Sequence, residues 1–242
     1  MPTALKSVIL AAGKGTRMKE ITREIPKPMI EINGKPLLQH IITSVKSAGV
    51  TEFGIVVGYK QSIVQEYFGD GTSNGIKITY IEQKEQNGTG AALGLAAEFV
   101  GDEPFFFTFG DVITPEENYS SMAEYYAGNE CDALLGLNTV DDPYRGAAVY
   151  IDEDNTIIKM VEKPPKGTST SNLNNAGIMV LSADIFDYTP RLKLSARGEY
   201  ELTDVFGMLR DDNRALRGYV LSGFWKDVGT PEDIDLAQDM ME

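Results

Sequence analysis

Val8-Ile9-Leu10-Ala11-Ala12-Gly13-Lys14-Gly15-Thr16-Arg17 decides how this chain is read. The short apolar run predicts a buried strand, and it passes directly into a loop with two glycines one residue apart. Glycine lets a backbone come close to an anion and point its N–H groups at it. Arg17 adds a planar, permanently charged donor fork suited to phosphate oxygens. The dinucleotide fingerprint would need glycine or alanine at position 18, which is Met18. The P-loop needs a longer spacing and a Gly-Lys-Ser/Thr ending, also absent. A ligand-free turn would explain two glycines alone. It does not explain Thr16, Arg17 and the downstream lysine of Ile25-Pro26-Lys27-Pro28 as well.

Outward from this loop, apolar runs alternate with amphipathic stretches, the pattern of βα units on a mostly parallel sheet. A helix is predicted from Pro36, with Leu37, Leu38, Ile41, Ile42, Val45 and Ala48 on one face and Gly49 as its cap. Strand 53–57, helix 61–68, strand 76–81, helix 91–99 and strand 104–109 follow; the last is nearly continuous in apolar residues, as strands buried on both faces are. Beyond Thr114, strands are predicted at 133–137, 147–151 and 157–161, with a turn at Asp152-Glu153-Asp154-Asn155. A polar loop at 164–174, long enough to act as a substrate loop, precedes strand 177–181. Helices are expected at 202–210 and 231–241, the second with Thr230 as N-cap and Pro231 at its first position. With no repeat, low-complexity tract or linker, one domain of two lobes is the economical organisation.

Length and charge narrow the function classes. At 242 residues the chain can bury a full core. Its 42% hydrophobic and 24% charged residues suit an ordinary globular protein. No apolar run approaches spanning length, and residues 1–6 do not read as a signal peptide. Cys131 is the only cysteine, so no internal disulfide can form and a cytoplasmic location is expected. The net charge of −14 argues against nucleic acid and anionic membranes as partners. Yet Lys14, Arg17, Lys19, Arg23, Lys27 and Lys35 all fall within the first 35 residues, a local concentration that a phosphate ligand would require.

Ala11-Ala12-Gly13-Lys14-Gly15-Thr16-Arg17-Met18, followed by Pro26-Lys27-Pro28 and Gly34-Lys35-Pro36-Leu37-Leu38, resembles the opening of the sugar-1-phosphate nucleotidyltransferases. The similarity continues through Glu82-Gln83, Gly88-Thr89-Gly90-Ala91-Ala92, Phe109-Gly110-Asp111, Gly146, Glu162-Lys163-Pro164, Asn175-Ala176-Gly177, Glu201-Leu202-Thr203-Asp204 and Trp225-Lys226-Asp227-Val228-Gly229-Thr230. The resemblance implies a Rossmann-like α/β fold, with a mixed, mostly parallel sheet flanked by helices. It implies one nucleotidyltransferase domain over 1–242, with a nucleotide-binding lobe to about residue 112 and a sugar-binding lobe with closing helices at 113–242. By the same resemblance, Gly15, Thr16, Arg17 and Lys27 hold the triphosphate, and Ala12, Gly13, Gly88 and Thr89 belong to the nucleotide site. Gln83 reads the base. Asp111 and Asp227 hold Mg²⁺, while Gly146, Glu162, Lys163 and Asn175 hold the sugar phosphate. Arg17, Lys27, Asp111 and Asp227 form the catalytic set. No hexapeptide repeat follows the closing helix, so acetyl transfer is not expected and a homo-oligomer would form through this domain.

The chemistry is consistent with these residue types. A sugar-1-phosphate loses its second proton near pH ~6, so its attacking oxygen is already anionic at neutral pH and no general base is needed. The single histidine, His40, falls off the apolar face of its helix and is expected at the surface, while Cys131 is expected to be a small buried residue. Positioning and cationic stabilisation carry phosphoryl and nucleotidyl transfer. Asp111 follows a buried strand, where open α/β sheets place ligands, and Mg²⁺ commonly takes one or two carboxylates plus phosphates and waters. From spacing alone, Gln83 is an exposed strand end and Glu162-Lys163 a solvated charge pair; the resemblance reverses both. UTP and dTTP differ by a methyl group and are not separated. A non-catalytic nucleotide-sugar-sensing or scaffold subunit is the alternative, ranked lower because Arg17, Lys27, Asp111 and Asp227 are all present.

Overall fold

The computed structural model describes residues 6–18 and 20–241. Lys19, counted among the cations above, and residues 1–5 at the amino terminus lie outside them. The elements in order are β1 (Lys6–Leu10), α1 (Ile21–Glu24), β2 (Glu31–Ile32), β3 (Lys35–Pro36), α2 (Leu37–Ser47), β4 (Glu52–Val57), α3 (Gln61–Phe68), β5 (Lys77–Glu82), α4 (Thr89–Gly94), α5 (Ala97–Val100), β6 (Phe105–Phe109) and β7 (Val112–Ile113). They continue with α6 (Glu117–Gly128), β8 (Ala133–Thr139), β9 (Ala147–Ile151), β10 (Ile157–Glu162), β11 (Leu173–Leu181), α7 (Leu202–Asp211), β12 (Leu216–Val220), β13 (Lys226–Asp227) and α8 (Pro231–Met240).

The apolar strands read from sequence pair as their burial requires. β1 lies between β4 and β6, parallel to both, and β5 extends the sheet parallel to β4. These strands have helices on both sides, which is why they read as continuous apolar runs rather than alternating ones. The second half differs in strand direction: β11 runs antiparallel to β6, β8 and β9, and β9 to β10, while β12 runs parallel to β8. A tight connection is open to antiparallel strands only, since it needs no crossover helix. The predicted turn between β9 and β10 is such a connection: Asp152 Oδ1 accepts the Asp154 and Thr156 N–H groups, and Asn155 takes a φ of 61°. The result is a mixed α/β sheet of nine strands with a buried apolar cluster on each face. The sheet joins strands from before and after residue 112 through the β6–β11 pair, while residue 112 itself lies in β7, which pairs with β13 in a separate two-stranded sheet. Among the described residues no helix is long and apolar enough to cross a membrane.

Several local expectations change. The single helix expected at 91–99 is two short ones, α4 and α5, with Gly94 ending the first; a glycine inside a helix costs about 1 kcal/mol relative to alanine. β11 begins at Leu173, earlier than the predicted 177, because Leu173 to Asn175 pair with β8 although their side chains look like a loop's. Helix α6 and strand β12 have no counterpart in the sequence reading. α6 buries Tyr119 and Met122 but carries polar residues around most of its circumference, so its periodicity is weak. His40 is half-buried rather than at the surface: its Nε2 lies 2.8 Å from the Ile32 carbonyl and ties the β2–β3 hairpin to α2. Cys131 is half-buried, and burial first of all pushes its thiol up to about 12.

Candidate active site

Two parallel strand ends, those of β1 and β6, begin the site. β1 delivers the loop at 11–15, where Gly15 adopts a φ of 61° and a Cβ would come within 3.0 Å of both Thr22 and Lys27. Glycine is therefore required there by conformation and by space. The Gly15 carbonyl accepts the Met18 N–H (2.9 Å) and the Thr22 hydroxyl (3.0 Å), which pins the loop onto α1. Gly13, Lys14, Thr16 and Arg17 are exposed around it. β6 delivers Asp111 beside this loop, since the Gly110 N–H bonds to the Leu10 carbonyl at 2.8 Å.

Asp227, far away in sequence, arrives by a different device. β13 pairs with β7 so that Asp227 lies opposite Val112, and the Val228 N–H bonds to the Asp111 carbonyl at 2.9 Å. Lys27, 8% exposed, completes the cluster: its Nζ is 2.5 Å from Asp111 Oδ2 and 3.6 Å from Asp227 Oδ1. Arg17 closes the same corner, its guanidinium lying over Gly229, where a Cβ would come within 3.0 Å of Nη1.

The pair of aspartates is short of positive charge. Burial first, then the neighbouring Asp111 carboxylate, push the Asp227 carboxyl above its ordinary value, against the opposing pull of Lys27 and Arg17. Asp227 Oδ1 is buried with no hydrogen-bond partner. Among the described residues no group of three or more His, Cys, Asp or Glu side chains could hold a metal. Two hard carboxylates with a spare buried oxygen nonetheless fit Mg²⁺, which usually completes its shell with substrate phosphates and water.

The residues expected at the nucleotide continue along the strand ends. Gln83 is 7% exposed, not the solvated strand end that spacing alone suggests, and its N–H bonds to the Val57 carbonyl at 2.8 Å. Gln86 Nε2 donates to the Ala12 carbonyl at 3.0 Å, a contact that no sequence signal identifies. Gly88 has a φ of 122°, and a Cβ there would collide with the Tyr200 backbone, its nitrogen at 2.6 Å. Tyr200 is clasped by this segment through Gly90 N–H to Tyr200 carbonyl (2.9 Å) and Tyr200 N–H to Asn87 carbonyl (2.8 Å). Thr89 Oγ1 accepts the Leu202 N–H at 3.3 Å. Gly88 and Thr89 thus hold the start of α7 against α4.

The residues expected to hold the sugar phosphate form a second group. The Gly146 carbonyl accepts the Lys163 N–H at 2.7 Å, and Asn175 Oδ1 accepts the Gly177 N–H at 3.0 Å. Glu162 is not a simple solvated pair with Lys163, whose Nζ is 3.8 Å away; Arg197 Nη1 is closer at 3.2 Å, and also within 3.6 Å of Glu201. Burial raises the Glu162 carboxyl above its ordinary value, with Glu201 adding to the effect and Lys163 and Arg197 opposing it. Arg197 is a neighbour of Glu162 that the sequence reading did not single out, whereas Glu201 falls in a stretch already quoted for the resemblance. The two groups are joined mechanically: Gly177 packs against the Phe109 ring, and Trp225 Nε1 donates to the Ala176 carbonyl at 2.9 Å. Phe109 and Trp225 each stand two residues before one of the aspartates, Asp111 and Asp227.

Residues 6–242 match the family described as nucleotidyl transferase. Among similar proteins, Agl11 of Haloferax volcanii, a low-salt glycan biosynthesis nucleotidyltransferase, is 35% identical over 95% of this chain. AglF of the same organism, a UTP--glucose-1-phosphate uridylyltransferase, is 32% identical over 98% of this chain and 97% of its own length. The chain spans 64% of the length of Agl11 and about half of several other relatives, 53% in one case. Its fold is similar to that of a glucose-1-phosphate thymidylyltransferase, described as putative, from Bacillus anthracis, crystallised with sucrose. The TM-score is 0.89 at 30% identity, covering 98% of this chain and 95% of that one.

Proposed function

This chain belongs to the nucleotidyl transferase family, and we propose that it joins UTP or dTTP to a sugar-1-phosphate, glucose-1-phosphate or N-acetylglucosamine-1-phosphate, releasing pyrophosphate. The observation that carries this reading is the convergence of Lys27, Asp111 and Asp227 beside the Gly13–Gly15 loop, with one lysine for two carboxylates. A nucleotidyl transfer needs cations where charge moves onto pyrophosphate, and it needs no proton acceptor, because the attacking phosphate oxygen is already ionised. The sugar phosphate oxygen forms a bond to the α-phosphorus as the bond from that phosphorus to the pyrophosphate oxygen breaks, and the electron pair leaves with pyrophosphate.

In this mechanism Gly15, Thr16 and Arg17 bind the triphosphate, and Lys27 holds the carboxylates in register while contributing charge. Gln83, with Ala12, Gly13, Gly88 and Thr89, bounds the base; a buried amide offers the paired donor and acceptor that uracil or thymine presents. Gly146, Glu162, Lys163 and Asn175 orient the sugar phosphate for in-line attack, a gain made by positioning. Asp111 and Asp227 would hold Mg²⁺, which when bound neutralises phosphate charge. The phosphorylated substrates and single cysteine suit a cytoplasmic reaction. Pyrophosphate release, measured for each nucleoside triphosphate against a panel of sugar-1-phosphates with Mg²⁺, tests the reading. Release is expected with UTP or dTTP, and none with any pair would overturn it.

A further inference from the structure

The second half of the sheet buries two amides where apolar side chains would serve the core as well. Asn138 of β8 and Asn174 of β11 are paired in register and are 6% and 5% exposed. Asn174 Nδ2 donates to Asn138 Oδ1 at 3.0 Å and to the Asn175 carbonyl at 2.9 Å. Its Oδ1 is buried with no hydrogen-bond partner, and it faces Gly146 so closely that even a methyl group there would run into it. Gly146 in turn accepts the Lys163 N–H at 2.7 Å, and Lys163 stands at a φ of 41°, a conformation that costs a side-chain-bearing residue energy. On the other side, β11 slips its register against β8 immediately after Asn175. One buried amide therefore touches or adjoins the segments carrying Gly146, Lys163 and Asn175.

Stability does not account for this arrangement. An orphaned acceptor in dry surroundings destabilises the fold, and replacing both amides by apolar groups of similar size would remove that penalty. A polar pair does what an apolar pair does not: its directional bond admits one register and one separation. We infer that Asn174, with Asn138 as its acceptor, is a positioning residue that sets the Gly146–Lys163 contact and through it the sugar-phosphate site. The identity of the ligand rests on the proposed function; the placement of the segment does not.

Amide hydrogen exchange and steady-state kinetics on Asn174→Ala and Asn138→Asp test this. In Asn174→Ala the Lys163 amide is expected to exchange at least about tenfold faster, while amides of β1 and β6 keep their protection. The KM for the sugar-1-phosphate should rise about tenfold, with the KM for the nucleoside triphosphate within about twofold of the parent. Asn138→Asp keeps the acceptor oxygen and should retain both properties. Unchanged Lys163 exchange would overturn the inference, as would KM values for both substrates rising together with a general loss of protection, since that marks a merely structural role. If Asn174→Ala does not fold, Asn138→Leu removes the acceptor of the Asn174 bond, leaves Asn174 itself in place and carries the same outcomes. A parent protein without turnover would overturn the proposed function alone, because the exchange measurement still decides the positioning role.

Discussion

The two halves of the site gather charge by opposite means. Around Asp111 and Asp227 there is one buried cation, Lys27, fixed by strand ends whose backbone bonds leave little freedom. Around Glu162 there is a network in which Arg197 spans Glu162, Glu199 and Glu201, and its cation keeps 35% of its surface in water where Lys27 keeps 10%. Water screens charge strongly, so an ion pair made by Arg197 is worth less than one made by Lys27.

That contrast can be broken by substitution, beginning with the largest effect. Asp111→Ala should lower Mg²⁺-dependent turnover by about 10³-fold, the scale of losing one preorganised electrostatic partner, while thermal unfolding stays cooperative. Near-normal rates in that variant would remove the metal assignment. Next, Lys27→Met should cost about 2–3 kcal/mol in urea unfolding, near the lower end for breaking a buried ion pair, because the two carboxylates retain 29% and 38% exposure. Arg197→Ala, by contrast, should cost no more than about 1 kcal/mol, as expected for an ion pair in contact with water. Equal losses in the two variants would erase the distinction.

The smallest effect concerns pH. Glu162 is held above its ordinary carboxylate value, chiefly by burial, so folding favours its protonated form. Its contribution to stability is therefore present below the unfolded value and lost as pH rises through the folded one. Glu162→Gln, which keeps the shape without the charge, should melt about 1–2 °C higher than the parent at pH 7. The difference should vanish as pH falls below the ordinary carboxylate value. A lower melting temperature for the glutamine variant at pH 7 would mean that Arg197 and Lys163 outweigh burial.

The contrast also explains what was legible in the residues. The parallel half was read nearly whole, because β1, β4 and β6 are buried on both faces and their apolar runs end in Gly13, Gly58 and Gly110, which mark strand ends without ambiguity. α2 and α3 showed their periodicity because each has one wet face. Less was legible beyond Thr114. The first residues of β11 are Leu173-Asn174-Asn175, and asparagines there read as loop until Asn138 supplies a partner across the sheet. α6 hid its register among tyrosines and serines whose burial depends on a neighbouring network, Asn118 bonded to Thr114 and Ser222.

The amino-acid sequence by itself determined the strand-loop pattern, the glycine positions that only glycine can occupy, and a set of residues whose chemistry matches nucleotidyl transfer. Those are local properties: hydrophobic period, backbone freedom and side-chain charge. Tertiary structure alone decided that Asp227 meets Asp111 through the β7–β13 pair, that Lys27 lies between them, and that Gln83 is buried rather than exposed. It also decided that Arg197 and Glu201 stand beside Glu162. The physical reason is that charge coupling falls with distance and rises with burial, and neither distance nor burial between remote segments is encoded in the spacing of their residues.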